Sequence, residues 1–186
     1  MAANSPTDKS AILSALKEQY GKVVYTYTTH IKEARIRAHW NSAFLWADII
    51  LSAITTGGII GLIITNSRMC EIASCVASVI LLVISLYTKE AKLAERSVSH
   101  KEFASKIWLI RERYLALMTD ASALEYEEIA KRRDCLQEEL ATLYQHEPLT
   151  SNKSYKQAQQ ALKRDEEQFF STEELNKLLP EHLRTK

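Results

Sequence analysis

Two long apolar segments stand close together near the middle of the chain. Residues 44–65 form a run of 22 positions in which Asp48 is the single ionisable side chain. At a helical rise of about 1.5 Å per residue, this run is roughly 33 Å long, slightly more than the hydrocarbon core of a bilayer. A second apolar run, residues 72–88, follows after a link of six residues. Two membrane-length segments joined by so short a link predict a transmembrane helical hairpin.

Basic residues flank the predicted hairpin on one side. Four precede the first span and five follow the second: Lys22, Lys32, Arg35, Arg37, Lys89, Lys92, Arg96, Lys101 and Lys106. The connecting link carries Arg68, which Glu71 offsets. Because basic loops stay on the cytoplasmic side, we expect both termini in the cytoplasm and only a minimal turn outside.

Apolar residues outside the spans recur at steps of three and four. Before the first span they predict an N-terminal amphipathic helix over about residues 6–39. After the second span, residues 89–147 predict long helices with a break near 119–122, where Ser122 and Glu125 have the spacing of a capping box. Amphipathic helices of this kind need partners, so we expect a cytoplasmic helical bundle or coiled coil.

The chain divides into a two-transmembrane domain, residues 1–147, and a polar helical C-terminal tail, residues 148–186. In the tail, Ser171 and Glu174 predict a capped short helix that ends before Pro180. Either this tail docks on the bundle or on a partner, or it is a loosely ordered, solvated segment. The predicted fold class is an all-α membrane protein.

The spans are more polar than anchoring requires. Ala53, Gly57 and Gly61 follow one another at i+4 and predict a ridge for close helix packing. Hydrogen-bonding side chains lie on the opposite side of span one and on one face of span two: Asp48, Ser52, Thr55, Ser74, Ser78 and Ser85. One hairpin cannot hide two opposite faces from lipid, so we expect a homo-oligomer with these residues facing a lumen. The alternative for the hydroxyl residues is bonding to carbonyls of their own helix, a frequent role in membranes.

Asp48 is the sharpest single signal. A carboxylate inside the bilayer costs about 2–3 kcal/mol at the centre and less toward the interface. Two interpretations stay open. Asp48 faces a cavity or a partner, or it snorkels to the headgroups and pairs with a basic residue, for which Arg35, Arg37 and His39 are the candidates.

Several functional classes find no support in the sequence. A net charge of +1 is not typical of a nucleic-acid-binding domain. Three cysteines lack metal or redox spacing, and there is no phosphate-binding loop or nucleophile motif. The histidines are scattered and are interpreted as surface or interfacial residues: His30, His39, His100, His146 and His182. We therefore predict no enzyme activity, no cofactor and no metal.

The layout resembles a known family. A basic segment, residues 35–41 (RIRAHWN), leads into the first span, and the hairpin is followed by a long charged helix. Residues 143–149 (LYQHEPL) then precede the Ser154-Tyr155 pair. Over about residues 10–160 this pattern resembles the SLATT family, the two-transmembrane effector domains that accompany nucleotide-signalling genes in bacterial defence. Members often carry Asn-His where this chain has Gln145-His146.

The resemblance implies an anti-phage membrane effector. Such a protein oligomerises, forms a pore or otherwise disrupts the bacterial inner membrane, and kills or arrests the infected cell. Its expected partners are the lipid bilayer, further copies of the chain, and a nucleotidyltransferase-made signal or a separate sensor protein. The competing hypothesis is a passive two-span anchor or scaffold that recruits a cytoplasmic partner.

Overall fold

The computed structural model describes residues 6–65 and 67–184, and these contain helices and no strand. The helices, in chain order, are α1 (Pro6–Thr65), α2 (Arg68–Ala91), α3 (Leu93–Asp120), α4 (Tyr126–Tyr144), α5 (Asn152–Lys163) and α6 (Thr172–Leu178), followed by a 3-10 turn at Glu181–Leu183. The prediction of an all-helical protein with two long apolar helices is confirmed.

Helix α1 is one continuous helix of 60 residues, about 90 Å long. The sequence predicted two elements here, a helix over about 6–39 and a span over 44–65. The four residues between them, 40–43, contain no proline or glycine, so nothing interrupts the hydrogen-bond ladder. The bundle and the first span therefore share a single continuous helix.

The second connection between bundle and hairpin changes direction at Lys92. This residue separates α2 from α3 and has a left-handed backbone, with φ 48°. Its amide N–H still donates to the Thr88 carbonyl, and its own carbonyl accepts from the Arg96 amide. Backbone hydrogen bonds thus lie on both sides of Lys92. The left-handed conformation itself costs a residue with a side chain about 1–2 kcal/mol.

The hydrophobic core lies in the bundle formed by the first half of α1 with α3, α4 and α5. Buried side chains of this core come from three helices and include Leu16, Val23, Ile107, Ile110, Tyr114, Ile129, Leu136 and Leu140. At its edge the Arg111 guanidinium lies over the Trp108 ring, 4.2 Å from its centroid, and bonds Glu112. The predicted apolar stripes are therefore packing surfaces.

One predicted helix cap is wrong and the other is confirmed. The break after α3 occurs at Asp120 as expected, but Ser122 does not cap α4, which begins at Tyr126 after Glu125. Residues 121–124 instead form a turn, closed by the Ala123 amide on the Asp120 carbonyl, and Leu124 packs on the core. Packing thus overrides the cap signal. At α6, both hydrogen bonds of the Ser171–Glu174 capping box are present.

The first helix of the tail docks on the bundle. Helix α5 buries Ser154, Ala158, Ala161 and Leu162 and packs against α1. Beyond it, Lys32 bonds both carboxylate oxygens of Glu167, at 2.7 and 2.9 Å. Helix α6 buries no residue. Of the two interpretations of the tail, docking therefore holds for α5.

Candidate functional site

The hairpin closes on small residues. A Cβ atom added at Gly58 would lie 2.0 Å from the Ser74 Oγ and 3.2 Å from the Cys70 carbonyl oxygen. Ser74 and Ala77 are the buried residues of α2. The closest approach of the two spans therefore depends on a glycine beside the predicted ridge, on the side of α1 that faces α2.

The predicted packing ridge of Ala53, Gly57 and Gly61 is divided between two environments. Gly61 faces α2, since a Cβ there would lie 3.2 Å from the Cys70 Sγ. Ala53 and Gly57 are exposed, and a Cβ at Gly57 would have no described atom within 4 Å. Gly61 thus contributes to the hairpin itself. The role of Ala53 and Gly57 in packing between copies stays a prediction.

Most hydroxyl groups predicted to face a lumen bond to their own helix. Thr55 donates to the Leu51 carbonyl at 2.9 Å, and Ser78 donates to Cys75 at 2.8 Å. Ser74 donates to the Cys70 carbonyl at 2.8 Å and lies inside the hairpin. Ser52 and Ser85 are exposed on its outer surface. The geometry of three of these residues matches the alternative interpretation, in which each one satisfies a carbonyl of its own helix.

Asp48 is half-buried in the first span. Its Oδ1 is buried and has no hydrogen-bond partner in the described part of the chain. Pairing with Arg37 is not observed, because the Arg37 guanidinium bonds Glu33 at 2.8 Å. A buried carboxyl oxygen without a donor is costly, and more so within an apolar span. One carboxyl oxygen of Asp48 therefore lacks a hydrogen-bond donor in the described part of the single chain.

The outer surface of the hairpin is apolar. Isoleucine, valine and leucine side chains cover it, and Ile63 is 78% and Met69 75% exposed. Two helices of the described chain are long and apolar enough to cross a membrane. Exposed aliphatic residues in such numbers are stable in lipid and not in water.

A buried histidine pair lies in the bundle, below the hairpin. His30 on α1 and His100 on α3 are 0% and 2% exposed, and their Nδ1 atoms are 2.9 Å apart. The His30 Nε2 lies 2.9 Å from the Glu147 Oε1, after α4. The sequence-based interpretation of His30 and His100 as surface or interfacial residues is wrong. Separations of 70 and 117 residues left no local pattern that links these three groups.

Burial keeps the pair neutral. It lowers the pKa of His30, although Glu147 and Glu33 act in the opposite direction. Burial, with the nearby His30 and Arg37, lowers the pKa of His100 to about 4. With Glu147 ionised, His30 Nε2–H donates to it, so His30 Nδ1 accepts from His100 Nδ1–H. The hydrogen bonds then form one directed chain from His100 to Glu147.

Glu33 ties the segment after α4 to α1. It is 3% exposed, and its Oε2 accepts from the Ser151 amide at 3.1 Å and from the Ser151 hydroxyl at 2.6 Å. Burial raises its pKa, but the Ser151 and Ser154 hydrogen bonds and Arg37 outweigh this, so the pKa lies below its usual value. Together with the histidine pair, Glu33 joins α1, α3 and residues 145–151 through polar contacts.

The described residues contain no group of three or more His, Cys, Asp or Glu side chains able to hold a metal ion. The hydrogen bonds of the polar cluster link α1, α3 and residues 145–151, so they can fix the register of these three segments.

Fold and hairpin define a class: a membrane protein with two spanning helices and a helical bundle at one end of them. The chain matches the family model of SMODS and SLOG-associating 2TM effector domain family 4 over residues 12–174, and it belongs to that family. The SLATT resemblance is thereby confirmed. This is a family of membrane effector domains and not a known catalytic family. No curated protein and no solved structure matches the chain.

Proposed function

We propose that this protein is the membrane effector of a bacterial anti-phage system. On activation, several copies assemble in the inner membrane and open a pore or otherwise disrupt the bilayer, which kills or arrests the cell. The bundle lies on the cytoplasmic side, as the basic residues around the spans suggest. The trigger is a nucleotidyltransferase-made signal or a separate sensor protein.

The buried, unpartnered Oδ1 of Asp48 is the observation that carries this proposal. Intramembrane carboxylates usually face a cavity, a partner or water. A helix rearrangement that brings water or a donor to this oxygen relieves about 1–3 kcal/mol, the cost of an unsatisfied buried acceptor. This cost destabilises the single hairpin relative to a more hydrated arrangement, such as a water-filled path between copies.

The continuous α1 supports the same proposal mechanically. Because the helix passes from the bundle into the span without a break, a movement of the bundle reaches Asp48 directly. A passive anchor has no need for so rigid a connection. An effector that is switched by a cytoplasmic event does.

Dye release from liposomes tests the proposal. We expect the wild-type protein to release a trapped dye under activating conditions and to depolarise cells on expression. Asp48→Leu should abolish release while insertion persists. Glu71→Gln is the matched control, because Glu71 is the acidic residue at the other end of the hairpin, where it is exposed. Oligomers that leave liposomes tight under every activating condition would eliminate pore formation.

Assembly has a separate test at Gly57. Gly57→Leu adds bulk on the outer surface without touching the hairpin, so we expect fewer crosslinked oligomers and an intact monomer. Ile59→Leu is the control, since residue 59 lies about 200° around the helix from residue 57. Unchanged crosslinking in Gly57→Leu would remove this ridge from the assembly interface.

The competing function is a passive anchor or scaffold for a cytoplasmic partner. The hydroxyl groups that already bond to their own helix favour it, because they require no lumen. A chain with both spans replaced by unrelated apolar helices distinguishes the two. An anchor keeps its function after this exchange, and a pore loses it.

A further inference from the structure

A basic cleft opens at the membrane-facing end of the bundle. It has a volume of about 280 Å³, and its polar lining comes from Arg37 on α1 and from Arg96, Ser99 and His100 on α3. Pro148 and Leu149, in the segment after α4, close the remaining side. None of the described residues that line the cleft is acidic.

Arg37 brings an unused donor to this cleft. One terminal nitrogen of its guanidinium bonds Glu33 at 2.8 Å, but its Nε is buried and has no hydrogen-bond partner among the described residues. A buried donor without an acceptor is destabilising, and native structures rarely leave one without a reason. A small displacement of the guanidinium toward an anionic oxygen in the cleft would satisfy it.

Arg96 adds a second positive charge on the facing helix. It is exposed, and its side chain forms no ion pair with the part of the chain that the structure describes. Two arginines that line one cleft from neighbouring helices offer charge and hydrogen-bond donors that suit a phosphate group better than a single carboxylate. The Ser99 hydroxyl supplies a further donor.

His100 connects the cleft to the buried hydrogen-bond chain. Its Nδ1 bonds His30, and its Nε2 makes no hydrogen bond with any described side chain. The charged groups around this ring are Glu33 and Arg37 on α1, Arg96 on α3 and, beyond His30, Glu147. An anion in the cleft favours the protonated ring, so Nε2 takes up a proton and donates it to the anion.

The position of the cleft suits a phosphate at the membrane surface. Arg37 lies seven residues before the first apolar run and Arg96 eight residues after the second. At about 1.5 Å per residue, both are roughly 10–12 Å from the ends of the spans, just beyond the headgroup layer. Because long arginine side chains extend toward the membrane, they can contact a lipid headgroup phosphate there, and a soluble phosphate ester reaches the cleft from the water side.

We propose that the cleft between Arg37 and Arg96 is a binding site for a phosphate group, supplied by an anionic lipid headgroup or by a soluble phosphate ester. The site does not depend on pore formation. A bound phosphate joins α1 to α3 and contacts the segment after α4, so it adds a link among the three parts of the bundle that meet below the hairpin.

The experiment uses the full chain in nanodiscs, with ¹⁵N-labelled histidine and NMR detection of His100. In one arm, inorganic phosphate is added to nanodiscs of neutral phosphatidylcholine. In the other, phosphatidylglycerol replaces part of the neutral lipid and no free phosphate is present. We expect at least one arm to raise the midpoint of His100 protonation by about one pH unit.

Two single-charge variants separate a built site from general surface charge. Arg96→Ala should weaken the binding of whichever probe shifts His100 about tenfold, which is equivalent to the loss of one charge-assisted hydrogen bond. Arg35→Ala is the matched control, because Arg35 lies beside a different cleft with His39 and Lys153, at the same depth. It should change binding less than twofold.

Each outcome decides the proposal. A response to phosphatidylglycerol alone assigns the site to a lipid headgroup, and a response to inorganic phosphate alone assigns it to a soluble ester. No response to either probe overturns the site. Equal losses in Arg96→Ala and Arg35→Ala also overturn it, because the binding is then diffuse attraction to a basic surface.

Discussion

Gly58→Ala tests the register of the two membrane helices. The new Cβ would lie 2.0 Å from the Ser74 Oγ, so this hydroxyl must rotate and give up its 2.8 Å hydrogen bond to the Cys70 carbonyl. Rotation does not relieve the tight contact with the Cys70 carbonyl oxygen at 3.2 Å. The helices must therefore also separate by a few tenths of an ångström.

The expected cost is the sum of these two effects. A hydrogen bond between membrane helices or within one is worth about 0.6–1.7 kcal/mol, and forcing one extra carbon into a packed interface costs about 1–3 kcal/mol. Replacing a helical glycine by alanine returns up to about 1 kcal/mol. We therefore expect Gly58→Ala to lower the free energy of unfolding by about 1–4 kcal/mol.

Gly57→Ala is the matched control for this change. It has the same gain in helix propensity but no described neighbour within 4 Å of the added Cβ, so it should be neutral or slightly stabilising. The double variant Gly58→Ala with Ser74→Ala removes the colliding oxygen. It should recover at least half of the loss, which gives a coupling energy of about 1 kcal/mol.

The assay is reversible unfolding in mixed micelles, with increasing SDS fraction, followed by circular dichroism. The wild type, the single variants Gly57→Ala, Gly58→Ala and Ser74→Ala, and the double variant are compared at the same detergent concentration and pH, since the coupling energy requires both single variants. The free energies of unfolding of Gly57→Ala and Gly58→Ala could agree within about 0.5 kcal/mol, or the addition of Ser74→Ala to Gly58→Ala could recover no stability. Either result would mean that the facing surfaces of α1 and α2 are not those of this structure.

Three further predictions concern the bundle, the joint and the topology. The lowered pKa values of His30 and His100, about 4 for His100 against 6.5 in an unfolded chain, mean that the unfolded state binds more protons between these values. Acidification from about pH 6.5 to 4 should therefore lower the free energy of unfolding by up to about 3 kcal/mol. The decrease should be smaller in His100→Gln. A denaturant midpoint that is constant over this pH range would contradict the burial of the pair. At the left-handed Lys92, Lys92→Gly should be neutral to about 1 kcal/mol stabilising and Lys92→Val about 1–2 kcal/mol destabilising in thermal melts, and equal melting of both variants would contradict that backbone conformation. In spheroplasts, an impermeant maleimide should label Cys70 without permeabilisation and Cys135 only after it; the reverse pattern would place the bundle outside.

Sequence patterns were sufficient for the two long apolar helices, the helical class and the family, because long apolar runs and helical periodicity are local signals. They were not sufficient for Gly58. The i+4 pattern identified a ridge through Gly57 and Gly61, but which side of α1 meets α2 depends on the turn and on where α2 begins. That start lies at Arg68, four residues earlier than predicted.

The histidine pair escaped sequence analysis for a different reason. His30 and His100 belong to no sequence motif that indicates a buried polar pair. Only the antiparallel packing of α1 against α3 brings their Nδ1 atoms to 2.9 Å from each other. A weak signal did exist: each histidine continues the apolar stripe of its helix, three residues after Tyr27 and three before Phe103, so both were candidates for burial.

The two connections between bundle and hairpin differ in stiffness, and this limits how the hairpin can respond. Along α1, His30 and Asp48 are 18 residues apart on one unbroken helix, about 27 Å, so a displacement near the histidine pair is carried to the span. The other connection turns at Lys92, where an angle can change without breaking a long helix. A movement of α3 against α1 should therefore appear in the membrane as sliding or rotation at the contact between Gly58 and Ser74. Because that contact consists of small residues with a single rotatable hydroxyl, it offers little steric resistance to such a shift. Variants at Gly58 and Lys92 should consequently change how strongly bundle and span are coupled while leaving the phosphate cleft and Asp48 intact.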